Sequence, residues 1–438
     1  MSCFQTPLLV FQAITVMENA AVDPIPVVAL GNDGDGLAQT TAGRVFVPGT
    51  VPGDEILLAS QTDTHGTLER VVSPGSTRVT PPCSLFGTCG GCRLQHMARP
   101  AILEWKAGRV VETLRHAGFD TVPTPVTRQV SPHGRRRVDL AFRRAGKEIV
   151  LGLHRRRGAV VDMTECTLLD PALLALLAPL RAMLHSLPAV HAGGDIQINL
   201  LDSGPDLLIA MDGTPDTNDR RILAEFSKTH GIARISLHAR PPETLAQAGP
   251  VFHHFDGVRI VPPPGAFLQP AREGEEAIRN AVVAGLPRKG LKAGIIELYA
   301  GCGTLSFALA THAKVHAYEG DRAALACLKQ ASGGTRVLPA LRDLNRQPVM
   351  ANELAKSAAV VLDPPHAGAG AQMAQIITGK PRCVIYVSCN PVALQRDLTP
   401  LAQAGYRLDN LTVIDQFLWS AEVEAVCVLT LPTTRPRR

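Results

Sequence analysis

The stretch Ile295-Ile296-Glu297-Leu298-Tyr299-Ala300-Gly301-Cys302-Gly303-Thr304-Leu305-Ser306 decides the fold. Its apolar opening predicts a buried strand, Gly301-x-Gly303 a tight turn, and residues 305–311 a helix. Glycines in such a turn let a ligand approach the backbone closely. The next predicted strand, residues 314–318, runs into Glu319, whose carboxylate can accept from both hydroxyls of a ribose. Dinucleotide sites carry a third glycine, but Ser306 stands in that place. A nucleoside cofactor without a pyrophosphate, such as S-adenosylmethionine, therefore fits better.

Further strands are predicted over residues 358–362 and 383–387, alternating with helices. That alternation implies a doubly wound α/β, Rossmann-like domain with a mostly parallel sheet. In such sheets ligands gather at the carboxyl ends of the strands. Two motifs stand there, Asp363-Pro364-Pro365-His366 and Ser388-Cys389-Asn390-Pro391. The prolines stiffen the backbone behind Asp363, and Asn390-Pro391 stops the strand that presents the Cys389 thiol. A thiol beside a nucleoside site points to covalent catalysis. Two rivals remain. Asp363 to His366 also suits an enzyme that methylates exocyclic amines, but that reading gives Cys389 no role. The other rival is a non-catalytic RNA-binding or assembly factor that keeps the fold.

Upstream, residues 26–76 hold short β-type runs broken by turns such as Pro52-Gly53-Asp54, the pattern of a small β-barrel. Cys83, Cys89 and Cys92 form C-x5-C-x2-C around Gly90-Gly91, with Cys166 the best fourth candidate. Glycines inside such a loop let amides point at sulfur, which suits a metal–thiolate centre. Four thiolates suit structural zinc or an iron–sulfur cluster, and spacing alone leaves both open. Arg135, Arg136, Arg137, Arg143, Arg144, Lys147, Arg155, Arg156 and Arg157 make a basic stretch suited to phosphates.

The 438 residues, 45% hydrophobic and 19% charged, describe a globular protein of several domains. A net charge of +5 does not by itself call for nucleic acid. No apolar run is long enough to span a bilayer, and the first twenty residues lack the positive start of a signal peptide. Ten cysteines without such a signal fit a reducing cytoplasm.

Taken together, these motifs resemble the S-adenosylmethionine-dependent RNA uracil-C5 methyltransferases, most of all the iron–sulfur branch acting on 23S ribosomal RNA. The resemblance runs from about residue 25 to the C-terminus. It implies an N-terminal extension (1–24), a TRAM-like or OB-like barrel (25–78), a mixed α+β central domain with the cluster loop (79–262) and a class I methyltransferase domain (263–438). It implies a [4Fe-4S] cluster on Cys83, Cys89, Cys92 and Cys166. It also implies cofactor contacts from Gln269 (in Gly265-Ala266-Phe267-Leu268-Gln269), Tyr299, Gly301, Gly303, Thr304, Glu319, Asp343 and Asp363. Cys389 would add to uracil C6, and Glu424 would remove the C5 proton. Read alone, Glu422 and Glu424 fall on one strand face, and the resemblance favours Glu424. Glu422 replaces a usual histidine and His366 a usual arginine. The implied partner is RNA, with an unpaired uridine splayed into the site, and the implied state is a cytoplasmic monomer with no DNA or membrane partner.

Overall fold

The computed structural model describes residues 23–432 apart from Ala42 and Arg157. The expectations for most of the N-terminal extension and for Arg157 fall outside the described residues. Contacts divide the described chain into two compact units, residues 23–31 with 35–76, and residues 32–34 with 77–432.

In the first unit, β1 (Ile25–Leu30), β2 (Gly36–Thr40), β3 (Gly43–Val47), β4 (Glu55–Gln61) and β5 (Gly66–Ser73) form an antiparallel sheet in the order β3-β2-β1-β4-β5. Phe46 pairs with His65, so the two outer strands approach each other. Strand alternation buries Val27, Ala38, Val45, Val47 and Ile56 in a small core. Gly53 turns with φ 86°, in the left-handed region glycine tolerates.

The second unit begins with a helix, Arg99–His116, followed by β6 (Val126–Gln129). A six-stranded sheet follows, from β7 (Arg137–Ala145), β8 (Glu148–Gly152), β9 (Gly193–Leu201), β10 (Gly204–Met211), β11 (Arg234–Leu237) and β12 (Glu243–Ala246). Helices Leu177–Ser186 and Thr217–Thr229 bury Leu180, Leu184 and Leu223 in the core of this region. The hairpin β13 (His253–Phe255) and β14 (Val258–Ile260) leads to helix Arg272–Ala284.

The last strands are β15 (Ile295–Leu298), β16 (Val315–Glu319), β17 (Val337–Leu341), β18 (Ala359–Leu362), β19 (Cys383–Ser388), β20 (Arg407–Asp415) and β21 (Glu424–Thr430). With β6 they make an eight-stranded sheet in the order β17-β16-β15-β18-β19-β21-β20-β6. β15 to β19 are parallel, and β21 runs antiparallel to both its neighbours. Ile295, Val361 and Ile385 belong to one core and Ile296, Val360 and Val384 to the other. Burial on both faces explains why these strands read as unbroken apolar runs.

Helix Arg99–His116 lies well upstream of residue 263, yet Val110 and Leu114 join the core on this last sheet. β6 pairs in parallel with β20 and covers what would otherwise be an open edge. The chain thus contributes to its C-terminal sheet from a segment that sequence pattern assigns to the central region. No helix among the described residues is long and apolar enough to cross a membrane.

Candidate active site

The strand order reverses between β15 and β18, which opens a crevice at their carboxyl ends. After β15 the chain bends sharply through Tyr299 (φ 63°), Gly301 (φ 57°) and Gly303 (φ 104°). Tyr299 is the costly residue in that bend, and its hydroxyl anchors it by donating to Ala369 O at 2.9 Å. Around Gly301 the space a Cβ would take is open, so a ligand can lie against the backbone there. At Gly303 a Cβ would meet Phe307 at 2.6 Å and Leu328 at 2.8 Å, so this glycine serves packing. Glu319 Oε2 accepts from Gly301 N–H at 2.7 Å and Oε1 from Asp321 N–H at 2.6 Å. Each oxygen keeps a lone pair for a hydroxyl donor. Thr304 is half-buried just past the turn. Asp343 accepts from Asn345 N–H at 3.1 Å and faces Tyr299.

Carboxyls crowd the crevice. Burial pushes Glu297 up to about 8, helped by the charges of Asp363 and Glu319, although Ser306 donates to it at 2.5 Å. Burial likewise pushes Asp363 up to about 7. Such a ring suits a cationic ligand, and S-adenosylmethionine carries both a sulfonium and an ammonium.

Cys389 follows β19, and Asn390 begins the next helix by accepting from Val392 N–H at 2.9 Å. The Asn390 amide donates to His366 O at 2.9 Å, tying the two motifs together. Burial, then the charges of Glu424 and Asp363, push the Cys389 thiol up to about 12. Glu424 opens β21 and is buried. Its carboxyl is held well above the usual range by burial and by Asp363, with a hydrogen bond from Gln416 Nε2 (2.8 Å) acting the other way. Glu422 is exposed and lies ahead of the strand, so the two acids do not share a strand face as their spacing predicted. The same Gln416 Nε2 donates to Gln269 Oε1 at 2.9 Å. Arg136 fixes the Gln269 backbone by donating to its carbonyl at 3.0 Å. Gln416 was not picked out from sequence, because a lone Gln at a strand end carries no pattern.

The loop from Asp415 to Glu424 is held along its length. Lys106 and Asp415 form a fully buried pair at 2.5 Å, and Lys106 also donates to Phe417 O at 3.0 Å. Arg109 donates to Ala421 O at 2.6 Å. Arg93 and Leu94, just after Cys92, give their N–H groups to Trp419 O at 2.7 and 3.0 Å.

The four cysteines stand within electrostatic reach of one another, and Cys92 feels the other three. Burial pushes its thiol up to about 12, against a hydrogen bond from Gln95. Leu85 N–H points at Cys83 and Gly91 N–H at Cys89, the amide-to-sulfur arrangement expected of this loop. Arg135 offers an opposite charge to Cys166 and Cys92. Among the described residues no group of three His, Cys, Asp or Glu is arranged to hold a single metal ion. Four cysteines with amide hydrogen bonds to sulfur are a donor set that metal–thiolate centres use. Gly90 packs on the neighbouring turn, where a Cβ would lie 2.4 Å from His154 O.

The basic stretch does not act as one surface. Arg136 is buried, pairs with Glu275 at 2.5 Å and is a structural residue. Arg144 is spent on Val190 O at 3.0 Å, and Arg143, though exposed, on Phe142 O and Gly194 O at 2.7 and 2.9 Å. Lys147, Arg155 and Arg156 are exposed.

The doubly wound sheet carries an open crevice with a thiol and a buried acid at the ends of the adjacent strands β19 and β21, a layout that suits methyl transfer. The model of the tRNA (uracil-5-)-methyltransferase family matches residues 263–431. An RNA methyltransferase of Mesorhizobium japonicum is 37% identical over 411 residues, covering 93% of this chain and 97% of the relative. The 23S rRNA (uracil(1939)-C(5))-methyltransferase of Edwardsiella ictaluri is 29% identical, covering 90% and 92%. Among solved structures, the Pyrococcus abyssi tRNA (uracil-54, C5)-methyltransferase with S-adenosyl-L-homocysteine superposes with a TM-score of 0.72 at 20% identity, covering 94% of this chain and 100% of that one. The chain belongs to the S-adenosylmethionine-dependent RNA (uracil-5-)-methyltransferase family. Membership sets aside the amino-methylating alternative.

Proposed function

We propose that this enzyme methylates C5 of a uridine in 23S ribosomal RNA through a covalent Cys389–C6 adduct, with Glu424 as the general base. The observation that carries this reading is the meeting of Cys389, Asp363 and Glu424 at the ends of the adjacent strands β18, β19 and β21. The similarity to the Edwardsiella enzyme supports the ribosomal substrate. When bound against Gln269, Tyr299, Gly301, Thr304, Glu319, Asp343 and Asp363, with Gly303 shaping the turn beneath it, S-adenosylmethionine would supply a methyl electrophile and a positive charge that offsets the carboxyls.

Uracil C5 is a poor nucleophile. Cys389 gives its thiol proton to solvent, and bonding of Sγ as thiolate to C6 moves electron density to C5, which then takes the methyl group. C5 now carries one proton too many. Glu424 accepts it, the C5–C6 double bond re-forms, and Sγ leaves as thiolate. Burial and the neighbouring Asp363 raise the affinity of the Glu424 carboxylate for a proton. Cys83, Cys89, Cys92 and Cys166 hold a [4Fe-4S] cluster with a structural or RNA-positioning role, since the chemistry moves no electrons. The N-terminal unit is a TRAM-like barrel that contacts RNA, and the enzyme works in the cytoplasm as a monomer.

The test uses anaerobically purified protein, labelled cofactor and unmodified total RNA, with nucleosides identified by mass spectrometry. The expected product is 5-methyluridine in 23S RNA. 5-Methyluridine confined to transfer RNA would move the substrate, and full turnover by Cys389→Ala would overturn the covalent step.

A further inference from the structure

Gln416 follows β20, and its side chain touches both Gln269 and Glu424. It is buried, and its Nε2 donates to an oxygen of each. The cost is visible at the other end of the amide. Gln416 Oε1 is buried with no hydrogen-bond partner. Leaving an acceptor unpaired is unfavourable, so the amide is turned for the sake of its donors. Two neighbours hold it there. Asp415 is fixed by Lys106 and by Gln129 Nε2 at 2.9 Å. Opposite, Gly274 leaves room for the amide, since a Cβ there would lie 2.5 Å from Gln416 Oε1 and 2.8 Å from its Cβ.

We propose that Gln416 is a positioning residue for methyl transfer, holding Glu424 as an oriented carboxylate and turning Gln269 so that its amide N–H groups are offered to the bound ligand. The inference rests on the reading of Glu424 as the base. A carboxylate accepts from Gln416 Nε2, whereas a protonated oxygen accepts less well, so the contact favours the form that can take a proton. The groups around Glu424 otherwise oppose ionisation or are neutral. Asp363 stands after β18 and the Cys389 thiol after β19. From helix Arg272–Ala284, Gly274 meets Gln416, and Glu275 on that helix is paired with Arg136. Gln269 Oε1 is committed to Gln416, so the donor Nε2 is what Gln269 presents elsewhere.

Two variants separate chemistry from bulk. Gln416→Met keeps the volume and removes the donor. Gly274→Ala leaves Gln416 in the chain but displaces its amide, and alanine suits that helix better than glycine. The measurement is the rate at which the Cys389–RNA adduct forms and resolves, followed on denaturing gels from mildly acid to mildly alkaline pH. In both variants resolution is expected to slow roughly tenfold at neutral pH and to recover at alkaline pH, because one unit of pKa is about tenfold in carboxylate population. Adduct formation should change by much less. A wild-type pH profile for resolution in both variants overturns the inference. So does a pH-independent loss of both steps together with a lower melting temperature. Glu424→Gln is the control on the underlying reading. If it traps the adduct while both variants behave as wild type, only the role of Gln416 falls. If it traps nothing, the assignment of the base fails and this inference with it.

Discussion

A thiol pushed up to about 12 is almost wholly protonated at neutral pH, so Cys389 is a guarded nucleophile rather than a reactive one. Burial is its main guard, and the neighbouring carboxyls of Glu424 and Asp363 add to it. Cys389→Ala should abolish turnover and leave cofactor binding intact, which a binding titration beside the methylation assay checks. Glu424→Gln should lower turnover by roughly 10²–10⁴-fold, the usual worth of a positioned base, and accumulate a slow-migrating protein–RNA band. The same band from Glu422→Gln would move the base. Cys389 could be found from sequence because an apolar strand and an Asn-Pro stop frame it. The choice between Glu422 and Glu424 could not. Their spacing fits one strand face only if the strand extends to both, and it begins at Glu424.

The loop between β20 and β21 behaves as a clamped element. Its clamps come from helix Arg99–His116 and from the segment after Cys92, both distant in sequence. No local pattern announces such contacts, which is why the cofactor turn was readable and this loop was not. Lys106→Met would leave Asp415 as a buried unpaired charge. It should destabilise the protein by about 3–5 kcal/mol in denaturant unfolding, and adding Asp415→Leu should restore part of that. The hairpin that opens with β13 carries a second sensitivity. Burial, then the nearby Arg136 charge, depress His253 to about 4. The unfolded chain therefore binds the extra proton between about 6.5 and about 4, so this residue's contribution to stability falls as pH drops through that window. The melting temperature of the wild type should fall relative to that of His253→Gln as pH drops through that window.

At the scale of the whole molecule, distant segments are drawn together twice. β6 crosses to the C-terminal sheet, and Cys166 reaches the loop of Cys83, Cys89 and Cys92. The parallel core was legible because its central strands, β18 and β19 above all, are near-continuous apolar runs. Basic residues misled, because composition cannot separate Arg136, buried against Glu275, from exposed Lys147. Cys166→Ser should yield protein with less iron and a lower melting temperature, measured by metal analysis and scanning calorimetry. Stoichiometric zinc in the wild type would replace the cluster. The carboxyls around the crevice give the molecule one further property. With Glu297 near 8 and Asp363 near 7, the ligand-free enzyme stores protons at neutral pH. A bound sulfonium would favour the ionised carboxyls, so cofactor affinity is expected to rise as pH rises through neutrality, which a binding titration across pH checks.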